Sequence, residues 1–108
     1  MADMLDTLAL ARDTLLALPD VPPVLMRGQP DPGGEEVIVL DRVADTGAPG
    51  YRRAATAKLL QITCYAPSVQ RALELTALAR SALAEVGFGF IGSRPAPDGT
   101  GELSEYRR

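Results

Sequence analysis

Two short stretches carry spacings that cofactor-binding or catalytic proteins use. The run GFGFIG at residues 87–92 has the G-x-G-x-x-G spacing of a dinucleotide-binding loop, and DTGA at residues 45–48 matches the loop that supplies paired carboxylates in aspartic proteases. A dinucleotide site needs a strand before the first glycine and a helix opening at the third. Only then do backbone N–H groups and the helix N-terminus meet a pyrophosphate. Here a helical pattern precedes Gly87, and Pro95 and Pro97 follow Gly92. No helix start is available to hold a phosphate, so no nucleotide site is expected. The D-T-G match would put Asp45 to work only in a homodimer of the retroviral-protease type, where two carboxylates share one site. That architecture is nearly all β, whereas this sequence has two strong helical patterns, one of them opening the chain. The motif's glycine also runs on into APG, a loop continuation. A homodimeric aspartic protease using Asp45 stands as the alternative from a different class of function.

Other chemistry is thin. Histidine is absent, which removes the usual general base, the usual triad member and the commonest zinc ligand. The single cysteine, Cys64, excludes an intrachain disulfide and a cysteine-rich metal site. It falls on the apolar side of a strand with no histidine to activate it, which reads as a small core residue. Glu35 and Glu36, beside two glycines, read as a solvated turn. No catalytic residue, metal site or cofactor is expected, and the chain reads as structural rather than enzymatic.

The bulk numbers agree. One hundred and eight residues make a single domain, and a hydrophobic fraction of 46% makes it globular. The net charge is −3, and ten of the eleven cations are arginine, Lys58 being the exception. That balance argues against a tight phosphate-gripping partner, while leaving room for a wall that DNA passes. No apolar run approaches the roughly 18 residues that span a bilayer, and MADMLD is acidic where a signal peptide is basic. A soluble protein that stays out of membranes is expected.

The elements follow from periodicity. Residues 3–18 predict a helix, with Asp3 as N-cap and Met4, Leu8, Ala11 and Leu15 on one side, stopped by Pro19. Residues 21–28, VPPVLMRG, predict a proline-flanked edge strand. Residues 36–43, EVIVLDRV, are apolar on both faces and predict a well-covered strand. Residues 44–53, ADTGAPGYRR, predict a Gly/Pro loop. Residues 55–66 alternate: Leu60, Ile62 and Cys64 share one face, and Leu59, Gln61, Thr63 and Tyr65 the other. The second set is only half apolar, as expected of a surface covered by a partner.

Pro67 and Ser68 then open a helix that closes at Val86, with Gly87 just past its end. Its apolar residues, among them Val69, Ala72, Leu73, Leu75, Ala79 and Leu83, spread over more than half its circumference. A helix so patterned is covered on two sides, by the sheet and the first helix, and a neighbouring subunit against Arg71 and Leu78 would extend the cover. FGFIGSR predicts a further strand, and ELSEYRR a short polar strand or frayed tail. The expected fold is α+β: an antiparallel sheet of about four strands, two helices on one face, order α-β-β-β-α-β.

Residues 58–84, KLLQITCYAPSVQRALELTALARSALA, carry an alternating strand into an aromatic, a short serine-containing turn and a long Ala/Leu/Arg helix. Together with the opening helix, VLMRGQPD, VIVLDRV and the loop before Arg52 and Arg53, this pattern resembles the tail terminator (tail completion) proteins of long-tailed bacteriophages over most of the chain. The resemblance implies a single domain over residues 1–108 that forms a ring, usually a hexamer. Such a ring caps the tail tube protein, docks the head-side connector protein and leaves a channel for DNA. It also implies a virion protein of the tail or neck, assembled in the host bacterial cytoplasm. A neighbouring head–tail joining protein shares the architecture and is the alternative within the class. Ring subunits need two different surfaces for their neighbours, here expected at Leu59, Gln61, Thr63 and Tyr65 and at Arg71 and Leu78. The loop over residues 41–53, with Arg42, Tyr51, Arg52 and Arg53, is the expected contact to tube or connector, carrying residue types enriched in interface cores.

Overall fold

The computed structural model describes residues 4–30, 33–46, 57–97 and 99–108. The expected N-cap Asp3 lies outside them. Helix α1, Met4–Leu16, ends two residues short of the expected residue 18 and ahead of Pro19, whose ring disfavours helical backbone at Leu18. It places Ala11 and Leu15 in the core, fully buried. Strands β1 (Val24–Met26), β2 (Val37–Thr46) and β3 (Ala57–Tyr65) follow, then helix α2 (Val69–Ala84), then β4 (Gly89–Pro95) and β5 (Glu102–Arg107).

The α+β class and the two helices over one sheet face are as expected. The sheet itself differs. It has five strands in the order β1-β2-β3-β5-β4 and is mixed, because β1 runs parallel to β2 while the other pairs are antiparallel. The segment between β1 and β2 turns at Gly28 and again at Gly33 and Gly34, all at positive φ. It brings the chain back so that Val24 lies beside Ile38. The second difference is β5. ELSEYRR is an interior strand between β3 and β4, with Ser104 and Tyr106 fully buried. A strand is one of the two forms expected for this segment, but its interior place is not, because its polar residues read as exposed. Ser104 Oγ lies 3.1 Å from the Tyr106 hydroxyl and 3.4 Å from the Ile62 carbonyl, so these polar atoms are buried with partners.

Strand β2 also runs further than expected, to Thr46, past a register shift between Arg42 and Ala44. Such a shift marks a bulge, which adds a residue without ending the ladder.

Directly opposed residues share a sheet face. One row is Ile38, Cys64 and Glu102, the next Leu40, Ile62 and Ser104, the third Leu60, Tyr106 and Phe90. The apolar members of these rows meet Ala11 and Leu15 of α1 and Ala72, Leu75, Ala79 and Leu83 of α2 in a single core. Phe90 and Tyr106 pack edge to face, centroids 5.8 Å apart, a preferred aromatic geometry.

Both capping residues of α2 are as the sequence predicts, although the helix ends at Ala84, two residues short of Val86. Ser68 is its N-cap, accepting the Arg71 N–H at 3.2 Å. At the far end the Gly87 N–H donates to the Ala84 carbonyl at 3.2 Å and the Phe88 N–H to the Leu83 carbonyl at 3.0 Å, with Gly87 at φ 95°. That pair of bonds is a Schellman motif. Gly87 therefore ends a helix, and GFGFIG leads from it into β4.

Candidate functional site

The helix-free face of the sheet carries Leu25, Val39, Thr63 and Leu103 in one row, Val37 and Tyr65 in a second, and Asp41, Gln61 and Glu105 in a third. Three of the expected interface residues, Leu59, Gln61 and Tyr65, are half-buried here. Thr63 is only 1% exposed. Its neighbours on the face already enclose it, so it supports the surface without presenting atoms to a partner.

The two carboxylates of this face each hold a guanidinium: Arg27 Nε to Asp41 Oδ2 at 2.7 Å, and Arg94 Nη1 to Glu105 Oε1 at 3.0 Å. Being exposed, such pairs contribute about 0–1 kcal/mol each, but they leave the face close to neutral. A hollow of about 370 Å³ opens at one end, with Leu25, Val37, Val39 and Tyr65 on the sheet side and Gly28, Gln29, Gly34 and Glu35 from the preceding segment. Behind Tyr65 the chain passes at Gly101, where a β-carbon would come within 2.8 Å of the tyrosine ring. Only glycine at position 101 lets the chain pass this close to the ring, and the Thr100 hydroxyl donates to the Ala66 carbonyl beside it.

The other expected interface residues lie on the helix layer. Leu78 is 50% exposed. Arg71 donates from Nε and Nη2 to both carboxylate oxygens of Glu36, at 2.7 and 3.3 Å, and from Nη1 to Glu74 at 3.4 Å. The bidentate bond to Glu36, ahead of the field of that carboxylate and of Glu74, raises the guanidinium's pKa above its already high value. Glu36 thus ties the start of β2 to the first turn of α2, correcting its reading as part of a solvated turn. Thirty-five residues separate the partners, so no local pattern could have linked them.

The apolar arc of α2 is also less covered than its wheel implies. Ala72, Leu75, Thr76, Ala79, Ala82 and Leu83 are buried. Val69 at 58% and Leu73 at 47% join Leu78 among the exposed large side chains. The sheet and α1 reach only one arc of the helix, and three aliphatic residues remain outside it.

Of the loop expected to contact a tube or connector, Tyr51, Arg52 and Arg53 lie outside the described residues, and Arg42 is placed only as a backbone position in β2. Asp45 and Thr46 of the D-T-G match close β2, Asp45 opposite Lys58, so the aspartate belongs to a paired strand rather than to a loop tip. Cys64 is fully buried, and its burial, ahead of a hydrogen bond from Thr76 that acts oppositely, pushes its thiol from 9.0 up to about 11. Such a thiol is a poor nucleophile at neutral pH. Among the described residues, no group of three or more Cys, Asp or Glu is placed to hold a metal ion, and no helix is long and apolar enough to cross a membrane. No protein-family model matches the chain, and no curated protein matches it.

Proposed function

We propose that this chain is an assembly subunit of the tail-terminator type. Copies close into a ring, a hexamer by the resemblance to tail terminators. The ring caps the tail tube, offers a docking surface to the head-side connector and leaves a channel through which DNA passes unbound. Its place is the tail or neck of a virion assembled in the bacterial cytoplasm. No catalytic step is part of this role.

The observation that carries the reading is a pair of unlike surfaces on one small domain that its own core does not use. One is the near-neutral helix-free face around Leu59, Gln61 and Tyr65; the other is the exposed part of α2 at Leu73 and Leu78. A ring subunit requires such a pair, since each copy meets its two neighbours through different surfaces. The acidic balance of the chain suits a channel wall that does not grip phosphates.

Sedimentation velocity of the purified chain, alone and with unterminated tail tubes, tests this. A ring-sized species is expected, with rings at one tube end in electron micrographs. An obligate dimer that cleaves peptide, and loses cleavage in Asp45→Asn, overturns the reading in favour of an aspartic protease. Binding to isolated connectors but not to tubes reassigns the chain to the neighbouring head–tail joining role.

A further inference from the structure

Helix α2 presents two apolar features on opposite flanks of its buried arc. At about 100° per residue, Val69 and Leu73 lie roughly 140–180° around the helix from Leu78. The first flank is convex, Val69 and Leu73 standing 58% and 47% exposed. The second opens into a hollow of about 260 Å³ between the helix and the segment that follows α1, lined by Leu18, Val21, Pro22, Leu75 and Leu78. That volume is below the roughly 300–1,000 Å³ of small-molecule sites. Only Asp20 and Arg71 bring charged groups to the lining, and Arg71 is held by Glu36 and Glu74. An aliphatic side chain suits the hollow better than a ligand does.

Charge distinguishes the flanks in the same sense. Arg80 shares the convex flank, its guanidinium 3.8 Å over the Phe90 ring, a stacking that leaves its N–H edge free for a carboxylate. At the hollow, Asp20 lines the wall beside Arg71, whose guanidinium is already held by Glu36 and Glu74. The sheet edges, by contrast, are blunted. On β1 the outward Met26 N–H goes to the Gln29 side chain at 2.9 Å and the Met26 carbonyl takes the Gln29 N–H at 3.0 Å. On β4, Pro95 removes a donor and a register shift lies between Phe90 and Gly92. These are devices that stop edge-to-edge pairing, so copies meet through side-chain surfaces instead.

We propose that these flanks are the two halves of one heterologous contact between copies of this chain: Val69 and Leu73 of one copy seat in the hollow at Leu18, Pro22 and Leu78 of the next, with Arg80 facing Asp20 across the contact. This rests on the ring reading but revises its pair of surfaces: both halves of the ring contact lie on α2 and the segment after α1, and the helix-free sheet face takes no part in it. Because the flanks face away from each other on one rigid helix, they cannot both engage the same neighbour. The contact therefore propagates from copy to copy rather than pairing two copies off.

Leu73→Glu and Leu78→Glu test it in the full chain. Both side chains are about half exposed, so unchanged far-UV dichroism and melting are expected. In sedimentation velocity each variant alone is expected to run as a monomer. Mixed in equal amounts, they are expected to form a species of twice the monomer mass, one intact convex flank meeting one intact hollow. Asp20→Arg is expected to weaken assembly at least tenfold, and adding Arg80→Asp to recover it. Rings that form normally in both leucine variants overturn this contact and leave the ring standing. Two blocked variants that fail to recombine overturn the heterologous pairing. A wild-type chain that is monomeric at every concentration and on tubes overturns the contact and the ring together.

Discussion

Cys64 sits between Thr76 of α2 and the Glu102 carboxylate on the neighbouring strand, and its thiol pKa is pushed up to about 11 by burial first, with Glu102 adding in the same direction. The consequence for stability has a definite sign. Between about pH 9 and pH 11 the unfolded chain releases this proton while the folded chain keeps it, so the unfolded state gains. The thiol's contribution is complete below pH 9 and lost as pH rises through the folded value, on the order of 2–3 kcal/mol in all. Tyr106, whose pKa burial also raises, titrates in the same direction. Urea unfolding of wild type and Cys64→Ala at pH 8.5 and 10.5 separates the two. The wild-type stability should fall more steeply with pH than the variant's, and equal slopes would refute the buried-thiol account. That Cys64 is a core residue was legible from its place in an alternating strand. Glycine at 101 was not, since the need for it arises from the Tyr65 ring, thirty-six residues away in sequence.

At the scale of elements, α2 was the most legible part of the chain, because its signals are local. A serine cap accepts an N–H three residues on, and a glycine at φ 95° closes the last turn. Gly87→Val places a β-branched residue in the left-handed region, which costs about 1–2 kcal/mol. Thermal unfolding of this variant should show a Tm lower by about 4–8 °C per kcal/mol. An unchanged Tm would mean that the helix ends some other way. In the same run, Gly89 and Gly92 meet no crowding: a β-carbon at Gly92 has nothing within 4 Å, and one at Gly89 meets only the Arg107 carbonyl at an ordinary 3.6 Å. The register shift between Phe90 and Gly92 marks a bulge there instead. Strand β5 is the opposite case. ELSEYRR has the alternation of a strand, but its buried row is Glu102, Ser104 and Tyr106, and polarity alone says exposed.

For the whole molecule, the interior position of β5 sets a clear expectation. Deleting residues 102–108 removes the strand between β3 and β4 and takes Tyr106 out of the core. The truncated chain should lose its cooperative melting transition, whereas a frayed tail could be removed without effect. A native-like melt of that truncation would contradict the sheet order. The sequence by itself determined the α+β class, the two helices, the edge position of residues 24–26, and the faces of residues 59–65, because periodicity, caps and prolines act within a few residues. It also determined that GFGFIG follows a helix rather than opening one. Only the tertiary structure decided the parallel pairing of β1, the insertion of β5, the Arg71–Glu36 bond, and which aliphatic residues of α2 the domain leaves uncovered. Each of these depends on contacts between segments far apart in the chain, where burial is a property of the packed whole and no local pattern records it.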